Sequence, residues 1–527
     1  MRRGEIRIHN ETVARFDNYL ISRGIPLPPG RVTEPDQVSI VDASGQPVPG
    51  AGAVLQRRAD GSIEWMLADY LTDLAPDEKK SLFIELKPNQ HAPVQHPVAV
   101  EETDDAVTIA NGITELIISK TGGSLIRKLI IEGKTIIGPE HRVDLETVNL
   151  EGKIFRASVS ESYNVTVESA NRLRATVQVE GKHYARDGSS FLDFALRLTL
   201  CANRADVKFM HTFSCREANE GITEVKAVRL VTPTAMSSEA KKLMRQAHHG
   251  HSFFPRAIEI PENVEVVASS VNEVNDYARD FKYAQMGTLF LRNYSSLRED
   301  NVKYPFHMKP RGGSEFRAGY MTGGVRQIYH WLAWQQPNVT LVFGMKYWAA
   351  LHPKSVSIDE NVLTISIWPE WSLPMKIVQG TNKSHTFWLS GEARVLSHDE
   401  CEARSLQWEV KGIEPLDITF DPAWPAYCEA MDTHHLLRYQ PDKYAKLENL
   451  IMATPGEADR FTYARNVPNG MFNFACISYG EPSWGNNEDD RRVFVPLRDY
   501  LRTGNMHHWD FGVECAEHYM EVDFCEW

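Results

Sequence analysis

Leu173-Arg174-Ala175-Thr176-Val177-Gln178-Val179 and Phe194-Ala195-Leu196-Arg197-Leu198-Thr199-Leu200 each alternate apolar and polar side chains. A period of about two is the signature of a strand with one face on a core and one toward water. Working outward, Val107-Thr108-Ile109 and Glu115-Leu116-Ile117-Ile118 precede these runs. Residues 339–345, residues 362–368 and His385-Thr386-Phe387-Trp388-Leu389-Ser390 follow them with the same texture. The runs lie too close together for crossover helices, so the pattern predicts an antiparallel sandwich rather than a parallel sheet.

A first β unit stands apart at the N-terminus. Val38-Ser39-Ile40-Val41, Val54-Leu55-Gln56-Arg57 and Ser81-Leu82-Phe83-Ile84-Glu85-Leu86 are separated by turn signals such as Ser44-Gly45-Gln46-Pro47 and Asp60-Gly61. Periodicity lapses near Asn89-Gln90-His91-Ala92-Pro93. After Pro425 the period changes: Tyr444, Leu447 and Leu450-Ile451 recur three or four apart, as do Phe494, Leu497 and Tyr500-Leu501. Gly504 stops that helix at a C-cap position. A further helix, with Phe511, Cys515, Tyr519 and Val522 on one side, runs to an uncapped aromatic end at Trp527. The expected class is multidomain, β then α: a β unit over 1–92, an antiparallel β-sandwich over 93–424 and helices over 425–527. So few helices over so short a region can hardly cover their own apolar faces, which predicts that the sequence is the front part of a longer polypeptide. A helical appendage docked on the β domains is the rival reading.

With 527 residues, 42% hydrophobic and 24% charged, the chain has ordinary globular composition and is too long for one core. A net charge of -13 argues against non-specific nucleic-acid binding. No apolar run is long enough to span a bilayer, and no leader precedes the first strand, so the reading excludes a membrane partner and favours a cytoplasmic protein. Seven cysteines sit without metal-type pairs, which fits a reduced compartment. Oligomeric state is not legible.

Tyr479-Gly480-Glu481-Pro482-Ser483-Trp484-Gly485-Asn486-Asn487-Glu488-Asp489-Asp490 joins a strand-like stretch to a helix-like one. Flat aromatics beside amides and carboxylates have the composition of a sugar-binding rim. A solvated loop whose acids cap the next helix fits the same residues.

Arg57-Arg58-Ala59-Asp60-Gly61-Ser62-Ile63-Glu64-Trp65-Met66-Leu67-Ala68-Asp69-Tyr70 resembles the opening of the exo-rhamnogalacturonan lyase-like family, where an Asp-Gly-Ser turn leads into a Trp-bearing strand. Gly324–Ala333, Met345–Lys354, Trp484–Asp490 and Leu501–Asn505 resemble that family in the same order, as does the Glu517-His518-Tyr519-Met520-Glu521-Val522-Asp523 segment. The resemblance implies a small N-terminal β-barrel (the RIFT type), a β-sandwich, and an (α/α) toroid that in the family continues well past the last residue here. It also implies exo-acting cleavage of rhamnogalacturonan-type, uronate-containing chains.

A uronate lyase neutralises a carboxylate, removes the adjacent proton and helps the 4-linked oxygen leave. Arg, Lys or a hard cation such as Ca²⁺ serves the first task; His, Lys or Tyr serves the others. Gln246-Ala247-His248-His249-Gly250-His251 beside Arg245 offers an acid–base His249 with a carboxylate-binding neighbour. A zinc site would need a fourth ligand that the run does not supply, so no metal ligand is assigned. Lys309 and Arg311 flank Pro310 in a locally basic loop suited to an anionic sugar. On a strand, Arg326 and His330 would share one face and Tyr329 would take the other. Glu514 and His518, four apart on a helix, would make a base with an orienting carboxylate, or an ordinary surface pair.

The candidate catalytic set is His249, Arg326, His330 and His518. The substrate-binding set is Arg245, Lys309, Arg311, Tyr329, Tyr479, Trp484, Asn486, Asn487 and Glu488. A glycoside hydrolase using a carboxylate pair drawn from Glu481, Glu488 and Asp490 is the alternative chemistry. A non-catalytic carbohydrate-binding protein on the same scaffold is the third.

Overall fold

The last strand of the β part, Asp417–Phe420, returns to the very first, Gly4–His9, and pairs with it antiparallel, Ile6 opposite Phe420. This is a computed structural model, and it describes residues 3–88, 92–216, 221–248, 251–252, 257–260, 264–268, 304–310, 316–321, 328–348, 351, 353–372, 374–409, 415–430, 439–453, 471–472 and 491–523. Gly4–His9 and Asp417–Phe420 join Ser39–Val41 and Lys79–Glu85 in a four-stranded sheet; Phe16–Pro26, Ile63–Leu74 and Gly50–Arg57 form a three-stranded one. Ile6, Ile8, Phe16, Ile25, Met66, Tyr70, Leu82 and Ile84 fill the space between them. The Asp60-Gly61-Ser62 turn works locally. Asp60 Oδ1 accepts from the Ser62 amide at 2.9 Å and its hydroxyl at 2.6 Å, and Gly61 takes φ +84, a left-handed value that glycine adopts without strain.

The central region is a five-stranded sheet, from Ala99–Glu102 to Lys134–Ile137, packed with one large curled sheet. Arg174–Tyr184, Ser190–Cys201, Val207–Ser214 and Asn382–Glu392 run side by side in the large sheet, antiparallel, with Arg197 opposite Met210 and Met210 opposite Thr386. Alternation sends Leu192, Phe194, Leu196, Leu198 and Leu200 into the core. It leaves Ala195, Arg197 and Thr199 on a polar outer face, as the period-two pattern requires.

Among the described residues the last strand is Asp417–Phe420, and the helices Ala423–Tyr427, Pro441–Ala453, Arg491–Thr503 and Met506–His518 follow, in keeping with the change of period after Pro425. Gly504, at φ +71, closes Arg491–Thr503 by donating its amide to the Tyr500 carbonyl at 2.8 Å. Among the described residues one α-helix, His398–Ser405, interrupts the β part where periodicity gave no sign of it. Its signal is the reciprocal capping pair of Ser397 and Glu400. The C-terminal helices dock on the N-terminal unit, whose core takes in Trp424, Tyr500 and Leu501. Among the described residues no helix is long and apolar enough to cross a membrane.

Candidate active site

A cavity of about 470 Å³ lies between the polar face of the large sheet and the end of Met506–His518. Its walls come from parts of the chain far apart in sequence: Arg197, Lys346, Tyr347, Lys383, Glu514 and His518 all line it. Glu514, Glu517, His518 and Glu521 recur three to four apart, and all four line the cavity. The helix passes into a π-helical turn over Tyr519–Asp523, a geometry often found at functional positions.

Two lysines on the sheet meet two glutamates on this helix. Lys346 Nζ donates to Glu517 Oε1 at 2.6 Å and lies 3.6 Å from Glu409 Oε2. Lys383 Nζ donates to Glu521 Oε2 at 2.5 Å, while the Ser384 amide donates to the other oxygen of Glu521 at 3.2 Å. Burial disfavours the charged form of Lys346, but Glu517 and Glu409 outweigh it and hold the ammonium above its ordinary range. Burial likewise opposes the charged Glu409, and Lys208 with Lys346 overcomes it, bringing that carboxyl down to about 2.

Tyr347 follows Lys346 in a left-handed conformation, φ +52, which is unusual for a non-glycine residue. Two donors hold its carbonyl in place: the Leu351 amide at 3.0 Å and Lys354 Nζ at 3.2 Å. Lys354 is fully buried, and burial together with the nearby Lys383 pushes its pKa well below the ordinary lysine value. Strain of this kind persists where surrounding contacts over-determine it, and such residues cluster at functional sites.

His385 also borders the cavity, but the pleat turns its side chain to the core. It stands opposite His211 in the register and stacks on Phe213, ring centroids 6.4 Å apart. Burial lowers the pKa of both imidazoles, that of His211 to about 3, so the pair is neutral and structural.

Of the residues singled out in the sequence, His518 lines the cavity. It and Glu514 are buried, at 2% and 3% exposure, so they are not a solvent-facing surface pair. Arg245 is not among the lining residues: its guanidinium is ion-paired with Glu402 of the helix His398–Ser405. Its strand, Lys241–His248, pairs with Ile328–Gln336, placing Gln246 opposite His330 and Ala247 opposite Tyr329. Lys309 sits on strand Tyr304–Pro310 opposite Glu265. For His330, Tyr329 and Lys309 only the backbone is described. His249, Arg311, Arg326, Tyr479, Trp484, Asn486, Asn487 and Glu488, and with them Glu481 and Asp490, lie outside the described residues.

Lys346, Tyr347 and Lys383 were not legible as site residues. Lys346 and Tyr347 do fall inside the Met345–Lys354 stretch that carries the family resemblance, the one signal that points to them. For Ca²⁺ the donor set is a poor fit, since Glu517 and Glu521 already face ammonium groups. Among the described residues, the His and carboxylate atoms close enough to share one ion are those of His9, Glu11 and Asp417, on the N-terminal sheet.

Residues 98–241 match the family described as the PcRGLX-like protein central beta sandwich domain, which supports the resemblance to exo-rhamnogalacturonan lyase-like proteins. An uncharacterized protein, YetA of Bacillus subtilis (strain 168), is 23% identical over 198 residues, taking in 36% of this chain and 23% of that protein. Among solved structures, a protein in the glycosyl hydrolase family 38 from Enterococcus faecalis aligns with a TM-score of 0.45 and 11% identity, over 79% of this chain and 47% of that one. A galactose mutarotase-like protein from Clostridium acetobutylicum aligns with a TM-score of 0.30 and 10% identity, over 56% of this chain and 99% of that one. The chain thus spans less than half the length of YetA and of the Enterococcus protein.

Proposed function

We propose that this protein acts on uronate-containing oligosaccharides of the rhamnogalacturonan type, cleaving them by β-elimination from a chain end in the cavity between the sheet and the last helix. The observation that carries the reading is a cavity in which Arg197, Arg216, Lys346 and Lys383 stand together, interleaved with the carboxylates of Glu180, Glu514, Glu517 and Glu521, of which Glu517 holds Lys346 and Glu521 holds Lys383. That cavity is also lined by His518. The PcRGLX-like domain adds support for a carbohydrate substrate, and the exo character rests on the family resemblance.

In this reading Lys346 and Lys383 neutralise the substrate carboxylate and so acidify the adjacent C–H. Each ammonium has three donors, so the bond to Glu517 or Glu521 leaves others for the sugar. His518 accepts the proton, with Glu514 one helical turn away to orient it. The electron pair becomes the ring double bond as the bond to the 4-linked oxygen breaks, and water entering the cavity protonates the departing oxygen. The reading retains His249, Arg326 and His330 as further acid–base and carboxylate-binding candidates, and Trp484 with Asn486 and Asn487 as a rim. The C-terminal helices are the start of an (α/α) toroid in the same reading.

Glycoside hydrolysis is the second reading, favoured by one observation: Glu514, Glu517 and Glu521 face the same cavity. Incubation with uronate oligosaccharides separates the two. The lyase reading expects ultraviolet absorbance from an unsaturated uronate product. Reducing ends released without that absorbance select hydrolysis, and binding without turnover selects a carbohydrate-binding protein.

A further inference from the structure

A second cavity, about 390 Å³, opens on the same polar sheet face, walled by strand Phe16–Pro26 of the N-terminal unit and by Gln407, Trp408 and Glu409. Arg197 and Met210, directly opposite each other in the register, line both cavities. Lys346 lies beside Glu517 in the first and Glu409 in the second, so the two share a charged wall as well.

Polar and aromatic groups line the second cavity. Arg197 gives its Nε to Glu168 at 2.9 Å, and among the described residues its terminal N–H groups have no acceptor. Arg204 is fixed by Asp206 at 2.7 Å and lies over the Tyr19 ring. Trp408 is 3% exposed and stacks on Trp388 with an interplanar angle of 7°. Its indole N–H has no hydrogen-bond partner among the described residues. The volume falls within the range of small-ligand sites.

We propose that the two cavities form one track and that the second is a subsite for the neighbouring unit of the same chain, so that the ligand is an acidic oligosaccharide rather than a single sugar. This rests on the uronate reading of the first cavity. Guanidinium and ammonium groups suit carboxylates, and the Thr176 and Thr199 hydroxyls suit sugar oxygens.

Calorimetric titration with a galacturonate-containing disaccharide and tetrasaccharide tests the subsite. Thr199 lines only the second cavity, so Thr199→Trp should fill it. The expected result is tetrasaccharide binding weakened by about tenfold or more with disaccharide affinity unchanged. Thr199→Val, which removes a hydroxyl from the second cavity at nearly constant volume, should weaken the tetrasaccharide selectively too. Unchanged tetrasaccharide affinity in both variants overturns the subsite while leaving the uronate reading intact. If the unmodified protein binds neither sugar, the uronate reading itself falls and the subsite with it. Should Thr199→Trp fail to fold, Thr199→Val decides the matter by the same comparison.

Discussion

Lys346 and Glu517, 171 residues apart in sequence, meet at 2.6 Å in the wall of the cavity and tie helix Met506–His518 to the end of strand Val339–Met345. With Glu409 on its other side, the same ammonium sits between two carboxylates. Its removal leaves like charges facing each other in a partly buried place. Lys346→Met should therefore lower the thermal unfolding midpoint and abolish turnover, while Lys346→Arg should recover most of the stability. Calorimetry and an elimination assay on the same samples check both halves.

His518→Gln keeps the side-chain volume close and removes the titratable group. If His518 is the base, turnover should fall by about 10²–10⁴-fold with little change in the unfolding midpoint. A variant that loses stability but not specific activity would remove His518 from the mechanism.

Acid should destabilise the fold through His211 and His385. Both bind a proton in the unfolded chain below the ordinary histidine value of 6.5, and neither does so in the fold until far lower pH, about 3 for His211. The unfolded state then binds more protons, so stability falls as pH drops below about 6.5, by roughly 1 kcal/mol per pH unit for each ring. Urea titrations at pH 7 and pH 5 measure the slope, and His211→Gln should reduce it.

Gly4 has no room for a side chain. A Cβ there would sit 2.4 Å from the Trp424 ring, whose indole N–H donates to the Pro26 carbonyl at 3.1 Å and cannot easily move. Gly4→Ala should cost about 1–3 kcal/mol through overpacking, measurable by denaturant unfolding.

Gly504→Ala meets a different obstacle. Space is open, with the nearest atom 3.6 Å away, but φ is +71. The expected cost is about 1 kcal/mol from the left-handed backbone alone. A cost as large as that of Gly4→Ala would mean that packing, not conformation, fixes this glycine.

Local periodicity determined much of the architecture. The alternation of Phe194–Leu200 fixed which side chains enter the core and which line the polar face, because a strand can turn only every second residue inward. The three-to-four spacing of Phe494, Leu497 and Tyr500 marked a helix, and Gly504 marked its end, because each is a property of a few neighbouring residues. The helix His398–Ser405 escaped because its signal lies in the Ser397–Glu400 cap rather than in an apolar stripe. The cavity was decided elsewhere. Lys346, Lys383 and His518 carry no local sign that they will meet, and a single His on a helix reads equally well as surface or site. Their meeting depends on which strand lies beside which and on how the last helix settles over the sheet. Those choices come from long-range burial of apolar area, which is non-directional and leaves no local mark at the polar residues it brings together.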